Sequence, residues 1–383
     1  MEWKNWLHTT LTVTLILAVT TVLFLYTAGY RLDQKKAQID LRQTGMISAK
    51  SIPNGASVYL DDKLLTATDG TISALTPGKY NLKIVKTGFV EWKKQIEVFP
   101  ELVTDITAVL VSQTPRLEPL TNTGARLPTV SPSLTKLAYF STDAINPGIS
   151  VIALGQSGLS IFRSTPTLIV KDLPNIKYSS SISMEWSPDE QELLVDSDVN
   201  THFIVDLQKD TVESTATPKL LTDTWAAELL KKRMDFIQKL DLPADIAAVA
   251  VDPASLWAPD EKKFLYTKRV GLDIEYRVYN MEKPIPVGES VENLVFTTKA
   301  KDIQPKVGWY ADSFHLILTE NYNDTQKKGT VSIIRIDGTN KTEVYNNTLF
   351  SDSVFSSAGG DKLIMLTSYK SNNQSDLYTI GIR

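Results

Sequence analysis

Enzyme chemistry needs groups that move protons, attack carbon or hold metals, and this chain carries few in useful spacing. It has three histidines (His8, His202, His315) and no cysteine. Without cysteine there is no disulfide, thiolate metal site or thiol nucleophile. No two histidines stand at a metal-ligand spacing. His202 and His315 fall on or beside predicted strands, where a structural role is expected. Ser133-Leu134-Thr135-Lys136 fits the Ser-x-x-Lys pattern of some acyl-transfer enzymes, but it falls in a predicted turn. Gly155-Gln156-Ser157-Gly158 is one residue short of a nucleophile elbow and reads as a loop. Asp196-Ser197-Asp198 and Asn321-Tyr322-Asn323-Asp324 offer oxygens of the kind calcium takes, without a full loop of ligands, and read as solvated turns. No phosphate-cradling glycine motif occurs. Acidic residues are plentiful, so the paired carboxylates of glycoside chemistry stay open. The expectation is no catalytic residue, no cofactor and no metal ligand. Asn-x-Ser/Thr occurs at Asn323, Asn340, Asn346 and Asn373, which matters only in a host that glycosylates.

The elements that would position any site begin with an uncharged stretch, Asn5 to Tyr30. As a helix it would run about 39 Å, against a hydrocarbon core of about 30 Å. Trp3 and Trp6 precede its apolar middle and Tyr26 and Tyr30 follow, as rings at two membrane–water interfaces would. Residues 1–30 are therefore expected to be a transmembrane anchor. A cleaved signal peptide is the alternative, but Thr27-Ala28-Gly29 is a poor cleavage site. Residues 31–44 read as a polar juxtamembrane spacer, able to extend the helix for a few turns. The rest is a body long enough for two or three domains. The net charge of −4 shows no basic excess, so nucleic acid is not an expected partner.

Residues 45–111 read as short strands and tight turns, a small β-sandwich. Val58 and Leu60 alternate with Ser57 and Tyr59, and Asp61-Asp62 is a two-residue turn signal. Tyr80, Leu82 and Ile84 alternate with Asn81, Lys83 and Val85. Glycines and prolines punctuate the strands. Ser51-Ile52-Pro53-Asn54-Gly55-Ala56-Ser57-Val58-Tyr59-Leu60-Asp61-Asp62-Lys63 resembles the start of a PEGA domain. Leu75-Thr76-Pro77-Gly78-Lys79-Tyr80 and Lys86-Thr87-Gly88-Phe89-Val90-Glu91-Trp92 continue the likeness. Pro53, Asn54, Gly55, Ala56, Pro77, Gly78, Tyr80 and Gly88 are its motif positions, with Asn54 where the family has Glu. Taken singly, these glycines and prolines are turn formers. The resemblance implies an extracytoplasmic spacer or binding module.

Residues 112–383 carry an internal repeat. An anchor residue opens a turn, and an apolar strand follows. Val130 leads to Leu137-Ala138-Tyr139, and Trp186-Ser187-Pro188-Asp189 to Leu193-Leu194-Val195. Trp257-Ala258-Pro259-Asp260 leads to Phe264-Leu265-Tyr266, and Trp309-Tyr310-Ala311-Asp312 to Leu316-Ile317-Leu318. Phe355 leads to Leu363-Ile364-Met365. A third strand follows in each copy. The anchors stand 56, 71, 52 and 46 residues apart, against the about 40–50 that a four-stranded propeller blade needs. The longer interval from Trp186 to Trp257 holds a predicted helix at about 222–242, where Trp225, Leu229, Leu230, Met234, Ile237 and Leu240 recur at helical spacing. It is expected to be a structural insertion, with a partner-binding helix as the alternative. About five blades are expected. The last copy ends on a third strand, and Arg116–Thr121 is the candidate for its fourth, pairing beside Leu377–Ile382 and closing the ring.

The Trp-Ser-Pro-Asp repeat resembles the propellers of TolB-like and WD40-like proteins. The fold class expected is mainly β: an N-terminal transmembrane helix, a PEGA-like sandwich and a propeller with a helical insertion. The function expected is a membrane-anchored, non-catalytic binding or scaffold protein of the cell envelope, with an envelope protein or glycan as ligand. The alternative is a propeller hydrolase of envelope glycans or peptides. Four basic residues, Arg31, Lys35, Lys36 and Arg42, follow the uncharged stretch and only Lys4 precedes it. Basic-residue counting alone would keep the body in the cytoplasm. The PEGA resemblance implies the outer side, and that is the location expected.

Overall fold

The computed structural model describes residues 2–27, 30–35, 38–155, 165–197, 200–369 and 374–382. Residues 156–158 of the short elbow, Asp198 and Asn373 lie outside them. The chain divides into two compact units: Met1–Leu110 with Pro284–Glu289, and Val111–Lys283 with Ser290–Arg383.

The first unit opens with α1 (Glu2–Thr27), the helix expected. Among the described residues, however, no helix is long and apolar enough to cross a membrane. The transmembrane span is therefore not supported as read. The spacer also differs from expectation. Tyr30–Lys35 and Gln38–Gln43 pair as an antiparallel hairpin, with Leu32 opposite Leu41 and Gln34 opposite Ile39. Apolar residues recur there every second position, which is a strand period and not a helical one.

The β-sandwich is as expected. One sheet orders Gly70–Leu75, Gly45–Ile52 and Val103–Val109; the other orders Lys63–Ala67, Ser57–Leu60, Gly78–Val85 and Trp92–Val98. Gly45–Ile52 and Val103–Val109 run parallel. Alternate residues of both sheets build one core, with Ile47, Ala49, Val58, Leu82, Ile84, Trp92, Ile96 and Ile106 all buried. Asp61 and Asp62 both take positive φ, 45° and 63°, as a type I′ hairpin turn requires.

The second unit holds five four-stranded antiparallel sheets among the described residues. The first blade runs from Ala125–Val130 to Thr167–Lys171, and the second from Ser183–Trp186 to Thr211–Thr215. The third runs from Leu256–Trp257 to Glu292–Lys299, and the fourth from Lys306–Trp309 to Thr342–Thr348. The fifth combines Phe355–Ser356, Lys362–Thr367 and Asp376–Gly381 with Arg116–Pro119 from before the first blade. Arg116 lies opposite Gly381 and Pro119 opposite Tyr378. The ring thus closes where the sequence placed the closure, and a free sheet edge is removed.

The insertion is larger than expected. α2 (Pro218–Ile237) starts four residues before the predicted Thr222, and α3 (Ala244–Val251) follows it. Proline suits the first turn of a helix, where its missing N–H has no intrahelical partner in any case. The two helices cover one face of the third blade. Ile237 and Ala250 are buried with Phe264, Tyr266, Tyr279 and Met281.

Candidate functional site

The repeat anchors do two jobs. Each lies on the first strand of its blade's run, at or next to its last residue, and together they ring a central cavity. That cavity measures about 430 Å³. Val130, Trp186, Trp257, Trp309 and Phe355, one from every blade, line it. Met184, Val307, Ile317 and Val354 add apolar wall. Glu185, Lys306 and Asp352 are the charged residues of the described lining, with Thr129, Ser131, Thr319, Ser353 and Ser356 as hydroxyls. An apolar wall with a few polar groups, in this size range, is the usual make-up of a ligand pocket.

Each turn is built locally. Asp189 accepts the N–H of Gln191 at 3.1 Å, Asp260 that of Lys262 at 2.9 Å, and Asp312 that of Phe314 at 2.8 Å. A carboxylate that binds its own backbone two residues on fixes a tight turn. The chain then passes through a left-handed residue: Leu134, Glu190, Glu261, Ser313 and Gly360, with φ between 56° and 61°. Sequence reading missed the serine after the anchor. The Oγ atoms of Ser131, Ser187 and Ser357 accept the backbone N–H of Lys136 (3.1 Å), Glu192 (2.9 Å) and Lys362 (3.1 Å). The recurrence of Ser after Val130, Trp186 and near Phe355 was the available signal. Pro188 and Pro259 sit half-buried in their turns.

The turns also latch neighbouring blades. Trp186 donates its indole N–H to the Thr129 carbonyl at 3.2 Å, and Trp309 to the Leu256 carbonyl at 2.9 Å. Ser133 of the Ser-x-x-Lys motif donates its hydroxyl to Glu190 at 2.8 Å, and Lys136 donates to the Glu190 carbonyl at 3.1 Å. The motif is an interblade clasp. Between the third and fourth blades, the Asp260 N–H meets Ser313 Oγ at 3.1 Å. Fully buried Lys263 contacts Asp260 at 2.7 Å and Glu282 at 3.1 Å, with its ammonium 4.1 Å from the Phe314 ring centroid. Between the fourth and fifth, Tyr310 donates to the Gly360 carbonyl, and the Ala311 N–H meets Ser356 Oγ at 3.2 Å.

Both strand histidines face carboxylates. His315 Nδ1 lies 2.7 Å from Asp312, buried. Burial pushes the Asp312 carboxyl up. The facing His315 ring and the N–H groups of Phe314 and His315 outweigh burial and hold it below the ordinary aspartate value. His202 Nδ1 lies 2.6 Å from Asp196, whose other oxygen accepts the Ser183 hydroxyl at 2.6 Å. Serine therefore meets the carboxylate and not the imidazole, the reverse of a nucleophilic triad. Asn323 Oδ1 accepts the Gln326 N–H at 2.9 Å and Asp324 binds Lys327 at 2.6 Å, so that segment is a hairpin turn. No group of three or more carboxylates and histidines able to hold a metal occurs among the described residues.

In the sandwich, Gly55 (φ 72°) and Gly88 (φ 84°) take the left-handed conformation that favours glycine. Ala56 is buried, Asn54 is exposed and Pro53 half-buried. Lys86 Nζ ties the first motif to the last by donating to the Asn54 carbonyl at 2.7 Å. Tyr80 donates its hydroxyl to the Thr76 carbonyl at 2.7 Å, bracing the Pro77-Gly78 turn.

The fold is thus a β-sandwich module and a closed propeller whose repeat anchors converge on one cavity. Residues 44–114 match the PEGA domain, as the motif residues implied. No curated protein sequence matches the chain. Among solved structures, TolB from Acinetobacter baumannii is 16% identical over 79% of this chain and 59% of its own, at a TM-score of 0.26. An oligogalacturonate lyase in complex with manganese is 14% identical, over 68% of this chain and 65% of its own, at 0.22. The β-propeller domain of the trilobed protease from Pyrococcus furiosus is 11% identical, over 88% and 95%, at 0.24. The chain spans less than two thirds of the first two. At these identities and scores they lend nothing about activity, and the blades themselves carry the fold assignment.

Proposed function

We propose that this is a membrane-tethered, non-enzymatic binding or scaffold protein of the cell envelope. Its body lies outside the cytoplasmic membrane, and the central cavity is its recognition site. The observation that carries the reading is the cavity lining. Every blade contributes its anchor, four of the five are aromatic, and only Glu185, Lys306 and Asp352 carry charge. Such a surface recognises a ligand by shape and apolar contact and orients it with a few charges. The ligand is an envelope protein or glycan.

The tether reading rests on α1. Leu15, Ile16, Leu17, Val22, Leu23 and Phe24 are each more than half exposed, an apolar surface that needs a cover. Its threonines are less polar than they look. The hydroxyls of Thr12, Thr14 and Thr21 donate to the carbonyls of His8, Thr10 and Leu17 at 2.8–2.9 Å, which spares them an unmet hydrogen bond in lipid.

The test uses the full chain in detergent against isolated cell-wall, glycan and envelope-protein fractions. At least one fraction should bind. Lys306→Glu with Asp352→Lys, which reverses two cavity charges, should weaken that binding at least about tenfold, the 1.4 kcal/mol that one reoriented charge contact readily supplies. Binding that ignores the double substitution would remove the cavity as the recognition site.

A further inference from the structure

A second cavity, about 380 Å³, lies at the other junction of the ring, where the chain passes from the closing strand into the first blade. It shares no lining residue with the central cavity. Its polar lining consists mainly of hydroxyls and carboxamides: Tyr139, Ser141, Ser150, Thr123, Asn122 and Asn146. Among the described residues, Asp143 is the one charged residue of the lining, and Lys171 lies beside it, bonded to Asn146. Leu120 and Leu168 supply apolar wall.

The partners already made leave capacity over. Tyr139 hydrogen-bonds the Ser150 hydroxyl, and burial pushes its phenol up, so it stays neutral. Asp143 accepts the N–H groups of Ile145 (2.7 Å) and Asn146 (2.8 Å). These N–H groups hold its carboxyl below the ordinary range, so it is ionised at neutral pH. Asn146 gives its carbonyl oxygen to Lys171 at 2.8 Å, which leaves its NH₂ as a donor. Hydroxyls act as donor and acceptor at once, and a carboxylate offers about four acceptor positions on its two oxygens. With the Lys171 ammonium beside Asp143, the described lining carries no net positive charge to attract phosphates or carboxylic acids. A neutral molecule rich in hydroxyls satisfies every part of this lining, and the volume falls in the range of small-ligand sites.

We propose that this cavity is a saccharide-binding site, separate from the central cavity and independent of what the latter recognises. The frame supports such a role because it is fixed from both sides of the closure. Buried Asp376 of the fifth blade accepts the Thr121 hydroxyl at 3.0 Å and the Gly124 N–H at 2.8 Å.

The test uses the full chain in a zwitterionic detergent, since glycoside detergents would compete. The probes are glucose, galactose, N-acetylglucosamine and their β-linked disaccharides, read by saturation-transfer NMR and calorimetry. Inorganic phosphate and ethylamine serve as charged controls. At least one saccharide should bind, with the charged controls silent. Thr123→Trp, at an exposed lining position, should block the cavity and cut affinity at least tenfold while the fold, read by circular dichroism, is retained. Asn146→Ala, a truncation in the same lining, should weaken binding in the same direction. Silence from every saccharide, preference for a charged control, or binding that survives Thr123→Trp would each overturn the assignment.

Discussion

Trp309 and Trp257 hold the same position in successive repeats, yet their indoles reach different partners. Trp309 reaches back to the Leu256 carbonyl of the preceding blade. Trp257 reaches the Ala250 carbonyl at the end of α3, at 2.8 Å. The seams differ to match. Between the third and fourth blades, Leu265, Val278, Val307, Trp309, Leu316 and Ile334 form one buried cluster, with the Lys263 ion pairs and the Ser313 contact beside it. Between the second and third, the helices take the place of the neighbouring blade. Phe236 and Arg233 pack on the Trp257 ring at 6.1 Å and 5.2 Å. Among the described residues, no hydrogen bond or ion pair joins the 186–191 turn to the 257–262 turn. The same anchor can therefore lock onto a blade or onto a helix. What it needs is a buried carbonyl for its N–H and an apolar bed for its ring.

The largest effect should come from reopening the ring. Deleting 116–119 removes the strand paired to Asp376–Gly381. At about 1 kcal/mol per lost ladder bond plus lost burial, the cost should exceed about 4 kcal/mol. Chemical denaturation of the propeller checks it, and an unchanged midpoint would mean that every seam is self-sufficient.

Trp309→Ala should cost about 3–5 kcal/mol as a buried-ring deletion. Trp257→Phe, which keeps the apolar bed and removes the N–H, should cost only about 1 kcal/mol. Its effect should fall on hydrogen exchange in α3 and not on the fourth blade. If Trp257→Phe deprotects the fourth blade as well, the two seams are one unit and the contrast fails.

Lys263→Met leaves Asp260 and Glu282 facing each other without their cation. About 3 kcal/mol should be lost, since breaking a buried ion pair strands a charge. Double replacement with Glu282→Gln should recover part of that, and no recovery would mean that Lys263 acts through its stem on Phe314.

The smallest effect is in acid. The Asp312 carboxyl titrates below its unfolded value of about 3.8. Its contribution is therefore complete above that value and disappears as pH falls through the lower folded value. Asp312→Asn should lower stability at neutral pH and flatten the decline below pH 4. An unaltered acid profile would show that the His315 pairing is not the acid-sensitive element of this seam.

Much of this was legible in the chain. The anchors, the closing strand and the alternation of the sandwich follow from period and turn chemistry, which are local. α3 was not legible. Ala244-Asp245-Ile246-Ala247-Ala248-Val249-Ala250-Val251 is a short apolar run, and periodicity alone cannot separate a buried strand from a helix there. The spacer erred in the opposite direction, because its charge hid a two-residue alternation. The two cavities depend on which blades meet, and no local signal reports that. His202 and His315 were placed as structural from their strand positions, but the carboxylates facing them became visible only in three dimensions.

The central claim is that the body works outside the cytoplasmic membrane, and the cysteine-free chain allows it to be tested directly. Gln326 is exposed in the hairpin between His315–Asn323 and Lys328–Arg335, whereas neighbouring Lys327 is half-buried and paired with Asp324. A single Gln326→Cys, probed with a membrane-impermeant maleimide in intact cells (or in spheroplasts where an outer membrane intervenes), should be labelled without lysis. Labelling that appears only after the cytoplasmic membrane is broken would place the propeller inside the cell and contradict the envelope function.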